Sequence, residues 1–221
     1  SRVAETMGLP LTVIGNVATE TPERLDEELN EFVYAMATLD EWKRNYVCGN
    51  FNSIKWAGAD LSIVEEKGYS GVIQLMFKCF QYSPKASFKA LFLLTDTVYG
   101  IENGLEGNVG NAITDNDYGI KYAGNETLKK FVDAYSVMID KSILRYLRTY
   151  GVVILAMLLA ILGKLNWKSW LSWKKTLLLL PIFIYDFGTM LFLSGPDSRF
   201  FFITFLVCPL VVLLALYQRE K

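Results

Sequence analysis

The sequence predicts an all-α protein in which a helical domain over residues 1–145 is followed by three membrane-crossing helices over residues 146–221. Three observations carry that expectation. First, the runs Thr149–Gly163, Thr176–Pro196 and Phe200–Tyr217 contain between them a single charged residue, Asp186. At about 1.5 Å rise per residue, runs of this length approach the roughly 30 Å of a hydrocarbon core when flanking residues help. Second, apolar positions upstream recur at intervals of three and four rather than alternating. Third, residues 1–148 hold 15 Lys/Arg against 20 Asp/Glu, whereas residues 149–221 hold 7 against 3. The positive excess falls in the loops between the apolar runs, where membrane-flanking charge belongs.

Composition narrows the function classes. With 52% hydrophobic and 14% aromatic residues the chain has ample material for a core. An acidic first half and a loop-confined positive charge in the second exclude a basic nucleic-acid surface. There is no histidine, which removes Ser-His-Asp and Cys-His nucleophiles and His-ligated zinc. No metal and no cofactor is expected. Of the three cysteines, Cys208 falls in the third apolar run as a small buried residue. Cys48 and Cys79 are expected as two buried free thiols, pairing being the alternative open to an extracytoplasmic domain. The chain opens Ser1-Arg-Val-Ala-Glu-Thr-Met-Gly-Leu-Pro10, with neither an initiating Met nor an apolar signal region. The expectation is a piece of a longer polytopic protein whose upstream part carries residues 1–145 across the membrane.

Met7–Val17 shows no period around Pro10 and Gly15 and reads as extended chain or loop. Thr21-Pro22-Glu23 reads as a helix cap, an N1 proline and a first-turn acid. Leu25, Leu29, Phe32, Val33 and Met36 then mark one helix face, with Asp26, Glu27, Glu28 and Glu31 turned mostly to water. Asp40 is placed to cap a short helix over Glu41–Tyr46, followed by a loop over 48–56 anchored by Phe51, Ile54 and Trp56. A helix from Ser70 carries Val72, Leu75, Met76 and Cys79, and Ser83-Pro84 restarts another with Phe88, Leu91, Phe92 and Thr95 on one side. Residues 100–124, with six glycines and four asparagines, read as a long loop. Its Asp115, Asn116 and Asp117 lack the spacing and closing Glu of a calcium loop. Asn125 caps an amphipathic helix with Leu128, Phe131, Val132, Tyr135, Met138 and Ile139, which reads as lying along a membrane surface with Lys141, Arg145 and Arg148 toward lipid phosphates.

The three spans are placed at about 147–165, 176–195 and 200–217. Lys164, Lys168, Lys174 and Lys175 occupy the first connecting loop without an acid, while the second holds only Asp197 and Arg199. Lysine-rich short loops stay cytoplasmic, so Lys164–Lys175 and the tail are expected inside, and Ser194–Arg199 and residues 1–145 outside. Trp167, Trp170 and Trp173 fit an inner aromatic belt. Asp186, about ten residues into its span, has two readings. One is a proton or ion site; the other, preferred, is a structural partner for a polar group on helices upstream of this chain. Both keep it away from lipid.

This layout resembles the C-terminal part of uncharacterised bacterial polytopic membrane proteins that are distantly similar to the GT-C glycosyltransferases. The residues that carry the resemblance are Met7-Gly-Leu-Pro10, the helix pair around Pro84, and Gly195-Pro-Asp-Ser-Arg-Phe-Phe201 at the last outer turn. The resemblance implies an integral membrane protein acting on polyprenyl-phosphate-linked sugars at the outer face, with membrane lipid and upstream helices as partners. It implies a catalytic acid upstream of this chain and a phosphate contact for Arg199, since a guanidinium binds such groups bidentately. An ion pair of Arg199 with Asp197 or headgroup contact is the structural alternative. Two other functions stay open: a membrane-anchored binding or assembly module without chemistry, and a transporter part resting on Asp186 alone.

Overall fold

The computed structural model describes residues 2–101, 119, 124–163 and 174–217, without the side chains of Arg2, Lys175, Ser198 and Arg199. Among these residues every regular element is helical, and a single isolated bridge joins Val47 to Asn50. Most of the expected 100–124 loop, the residues 164–173 with their three tryptophans, and the Arg219–Lys221 tail lie outside the described residues.

The first half is built around a helix where the sequence reads as loop. After α1 (Arg2–Thr6), α2 runs Gly8–Glu20. It has no amphipathic period because it has no wet face: Pro10 through Ala18 are all buried. Pro10 sits in the first turn, where its missing N–H would have found no partner. Gly15 admits the rings of Trp42 and Tyr46, whose atoms stand 2.8 and 2.6 Å from where a Cβ would lie. Of the polar atoms that this burial traps, Asn16 Nδ2 donates to Ala86 O at 2.8 Å and the Tyr46 hydroxyl donates to Thr12 O at 2.6 Å, while Asn16 Oδ1 has no hydrogen-bond partner among the described residues.

The surrounding helices correct several sequence boundaries. Pro22–Arg24 is a 3-10 turn, and the cap of α3 (Glu27–Met36) is Asp26, whose Oδ1 accepts from Leu29 N at 2.9 Å. Thr38 rather than Asp40 caps α4 (Leu39–Asn45), in a reciprocal box with Glu41. A short α5 (Asn52–Lys55) precedes α6 (Ser62–Tyr82), which begins eight residues before Ser70 and breaks at Gly68, φ +67°. The acids of α3 do not all face water alone: Lys78 of α6 bridges Asp26 at 2.7 Å and Glu28 at 2.6 Å. Leu29, Phe32, Val33 and Met36 are buried as their spacing predicts.

α7 (Pro84–Tyr99) starts at Ser83-Pro84 as read, but its inward face is different. Ala86, Ser87, Ala90 and Leu94 are buried against α2, while Phe88 and Phe92 are 50% and 60% exposed. Small side chains permit the close approach of two helices that phenylalanine would hold apart. Phe88 instead packs edge-on against Phe80, centroids 5.1 Å apart.

Asn125 caps α8 (Glu126–Asp140), accepting from Thr127 N and Leu128 N. The apolar face of α8 has little over it: Leu128, Phe131, Tyr135 and Met138 are all exposed. Arg148 pairs with Asp140 at 2.8 Å, and the Arg145 guanidinium lies 4.7 Å from the Tyr146 ring centroid. Three apolar helices follow, α9 (Tyr150–Leu162), α10 (Leu180–Met190) and α11 (Phe202–Leu216). Each is preceded by a 3-10 turn, over Ile143–Arg148, Lys174–Leu179 and Ser198–Phe201. The α-helical parts are therefore 13, 11 and 15 residues, or about 20, 17 and 22 Å. Among the described residues no helix is long and apolar enough to cross a membrane. This corrects the expected helices at 147–165, 176–195 and 200–217, whose apolar runs include turns that the sequence reads as helix.

Candidate functional site

The turn over 194–199 and the apolar bundle meet the first half at a junction. Leu94 and Val98 of α7, Tyr150 of α9, Leu193 and Phe201 form its buried core. The Tyr150 ring stands edge-on to Phe201 and Phe205, with centroids 5.6 and 4.5 Å away.

The turn itself is clamped by backbone contacts. Asn52 N donates to Ser194 O at 3.0 Å, and Ser194 Oγ donates to Asn52 Oδ1 at 2.8 Å. A Cβ on Gly195 would stand 2.3 Å from Asn50 Oδ1, and a Cβ on Gly8 would stand 2.3 Å from Leu193 O. Gly8 is therefore required by close approach to backbone, whereas the atoms beside Gly195 are the side-chain ends of Asn50 and Asn52. The resemblance draws on Gly8 and Gly195 from opposite ends of the chain, and the fold brings the two segments into contact. The backbone of Arg199 lies in the 3-10 turn Ser198–Phe201, next to the half-buried Asp197. The side chain of Arg199, and with it the expected phosphate contact, lies outside the described residues.

Asp186 lies deeper in the bundle. It sits on α10, 2% exposed, and its Oδ1 accepts from Thr204 Oγ1 on α11 at 2.7 Å. Asp186 Oδ2 has no hydrogen-bond partner among the described residues. The same residue lines a cavity of about 810 Å³ between the end of α7, α9 and α10. One hydrogen-bond partner of Asp186, Thr204, is thus within this chain. Sequence reasoning missed Thr204, although the single threonine in the otherwise apolar run Phe200–Tyr217 was a signal for it.

The other polar groups offer little chemistry. Cys48, Cys79 and Cys208 are all free; Cys79 is buried and Cys48 is only half-buried, which corrects its expected burial. Burial pushes the Cys79 thiol up to about 12, and burial together with Glu20 raises that of Cys48. Both are poor thiolates. Among the described residues no three His, Cys, Asp or Glu side chains converge as metal ligands.

No family model matches the chain, and neither a curated protein nor a solved structure matches it.

Proposed function

We propose that this chain is a membrane-embedded module whose α9–α11 bundle lies in the bilayer with the helical domain clamped onto its outer turn, as part of a glycosyltransferase-like protein acting on lipid-linked sugars. The observation that carries the membrane reading is the outer surface of the bundle. Leu155 and Leu159 on α9, Phe183 and Phe187 on α10, and Leu206 and Leu213 on α11 are between 42% and 68% exposed. An apolar surface of this extent belongs against lipid or protein rather than water. The exposed apolar face of α8 fits the headgroup boundary. The 3-10 turns before α10 and α11 extend the continuous helical stretches to Lys174–Met190 and Ser198–Leu216.

The sugar-transfer part of the reading rests on the resemblance, in which Arg199 beside Asp197 contacts a phosphate or pyrophosphate at the outer face. The membrane part is tested by alkaline washing of membranes that contain the chain. Retention is expected, and release into the wash refutes it. A single cysteine placed in 164–175 is expected to be protected from an impermeant thiol reagent in intact cells. Substitution of Arg199 by Ala in the full-length protein is expected to slow consumption of a lipid-linked sugar, and an unchanged rate removes the phosphate contact. The second reading, a membrane-anchored binding or assembly module, is favoured by the open face of α8; it predicts no consumption of lipid-linked sugar by the full-length protein.

A further inference from the structure

α8 sorts its side chains onto separate faces. Leu128, Phe131, Tyr135 and Met138 recur every three or four residues and are between 55% and 69% exposed, so they form one open apolar stripe. Ile139 is buried, with Val132 and Ser136 half-buried beside it, so the helix packs on an edge and leaves the stripe uncovered. At about 100° per residue, Glu126, Asp133 and Asp140 lie about 160–180° from the centre of the stripe, whereas Lys130 and Lys141 flank it at about 100–120°. Both of these lysines are exposed. Arg148, which the sequence places on lipid phosphates, instead donates from Nη1 to Asp140 Oδ1 at 2.8 Å and to Ser136 Oγ at 3.4 Å. That pairing folds α8 back beside the turn that enters α9, and the exposed Ile143 and Leu147 carry apolar side chains from α8 up to α9.

We propose that α8 lies in the plane of the outer headgroup layer and binds anionic phospholipid there, with Lys130 and Lys141 on the phosphates and Phe131, Tyr135 and Met138 among the upper acyl carbons. This rests on the membrane reading above and adds the class of lipid. The sorting of charge selects it. A helix with lysines along the rim of its apolar stripe and acids on the far side lets the ammonium groups snorkel to headgroups while the carboxylates stay in water. The wider charge distribution points the same way: residues 1–125 hold 10 Lys/Arg against 17 Asp/Glu, and residues 126–148 hold 5 against 3. An anionic surface therefore repels the rest of the helical domain and attracts α8 with its following turn. The inference is independent of sugar transfer, because it uses none of the residues of the outer turn.

The test uses the full chain in nanodiscs of phosphatidylcholine alone or mixed with phosphatidylglycerol. A genetically encoded coumarin amino acid replaces Tyr135 or, separately, Asp133, and is read by quenching with acrylamide from water and with brominated lipid from the upper acyl region. In the phosphatidylglycerol discs the probe at 135 should be quenched by the lipid and shielded from acrylamide, and the probe at 133 should behave oppositely. The ratio of shielded to accessible probe at 135 should fall about fivefold for each of Lys130→Gln and Lys141→Gln, and should fall in high salt, which screens the lysines. Phe131→Glu with Met138→Glu should expose the probe while the chain stays in the disc. A probe at 135 open to acrylamide in both lipids, in a chain that the bilayer retains, would overturn the proposal and leave the membrane reading standing. Equal shielding in both lipids, indifferent to the lysine substitutions, would remove the anionic lipid. Shielding from both quenchers with cross-links to a second chain would assign the stripe to protein instead. Loss of the chain from the bilayer would overturn the proposal and the membrane reading together.

Discussion

Gly8→Ala tests whether the two halves of the chain are held by the clamp at Leu193–Gly195. A Cβ at residue 8 would stand 2.3 Å from Leu193 O, 2.4 Å from Leu193 C and 2.5 Å from Ser194 N. All three are backbone atoms, so no side chain can rotate away, and relief requires the turn to retreat by about 1 Å to reach ordinary contact. That retreat breaks the 3.0 Å bond from Asn52 N to Ser194 O and the 2.8 Å bond from Ser194 Oγ to Asn52 Oδ1. Overpacking costs about 1–3 kcal/mol and the two hydrogen bonds about 1 kcal/mol each, offset by at most about 1 kcal/mol from the better helix propensity of Ala. The net loss is about 2–4 kcal/mol, or roughly 5–15 °C in Tm for a chain of this length. Thermal unfolding followed by circular dichroism in nanodiscs measures the loss, and hydrogen exchange at the Asn52 amide locates it. Gly188→Ala, where nothing stands within 4 Å of the added carbon, is the matched control and should show no loss. A Gly8→Ala protein that melts within about 2 °C of the unmodified chain, with Asn52 equally protected, refutes the clamp.

Three further outcomes follow from the same contacts. Burial raises the Asp26 carboxyl, but the hydrogen bond from Lys78 and that from Leu29 N bring it below its usual value, and Lys67 and Lys78 lower that of Glu28. Depressed carboxylates stabilise the fold above their unfolded values and lose that contribution as pH falls through the folded ones, so stability should drop below about pH 4. Lys78→Met should flatten that acid limb in urea titrations, and an unchanged limb rules the bridge out. Thr204→Val keeps the shape but removes the donor to the buried Asp186, and should cost about 1 kcal/mol in thermal unfolding with Thr204→Ser restoring most of it; equal melting of all three would deny the bond. N-ethylmaleimide should modify the half-buried Cys48 well before Cys79, whose thiol is buried and raised to about 12, and equal alkylation rates in the folded protein would contradict that burial.

Legibility in the sequence followed the solvent boundary. α3 and α8 were readable because each has a wet face: Asp26 and Asn125 cap them, and their apolar residues recur at helical spacing. α2 was not, because ten of its residues are buried and no polar stripe marks its period. The inward face of α7 was misread for a related reason. Phenylalanines dominate hydrophobicity, yet close packing on α2 selected Ala86 and Ala90 and left Phe88 and Phe92 outside. At the candidate sites, Asp186 and Asp197 stood out as isolated charges near apolar runs and Thr204 as a hydroxyl within one, whereas Asn50 and Asn52 carry no local mark of their role.

By itself the sequence determined that the chain is helical, that its last third is apolar, that Asn125 caps one helix and that Ser83-Pro84 starts another, since spacing, composition and capping are local properties. Tertiary structure alone decided that Gly8 meets Leu193 and that Asn52 holds Ser194, a contact across 142 positions. It also decided that Asp186 pairs with Thr204 and keeps one oxygen beside an apolar cavity. Those contacts depend on which small residues allow two backbones within hydrogen-bonding reach, and that is a property of surfaces brought together, which no single stretch of chain encodes.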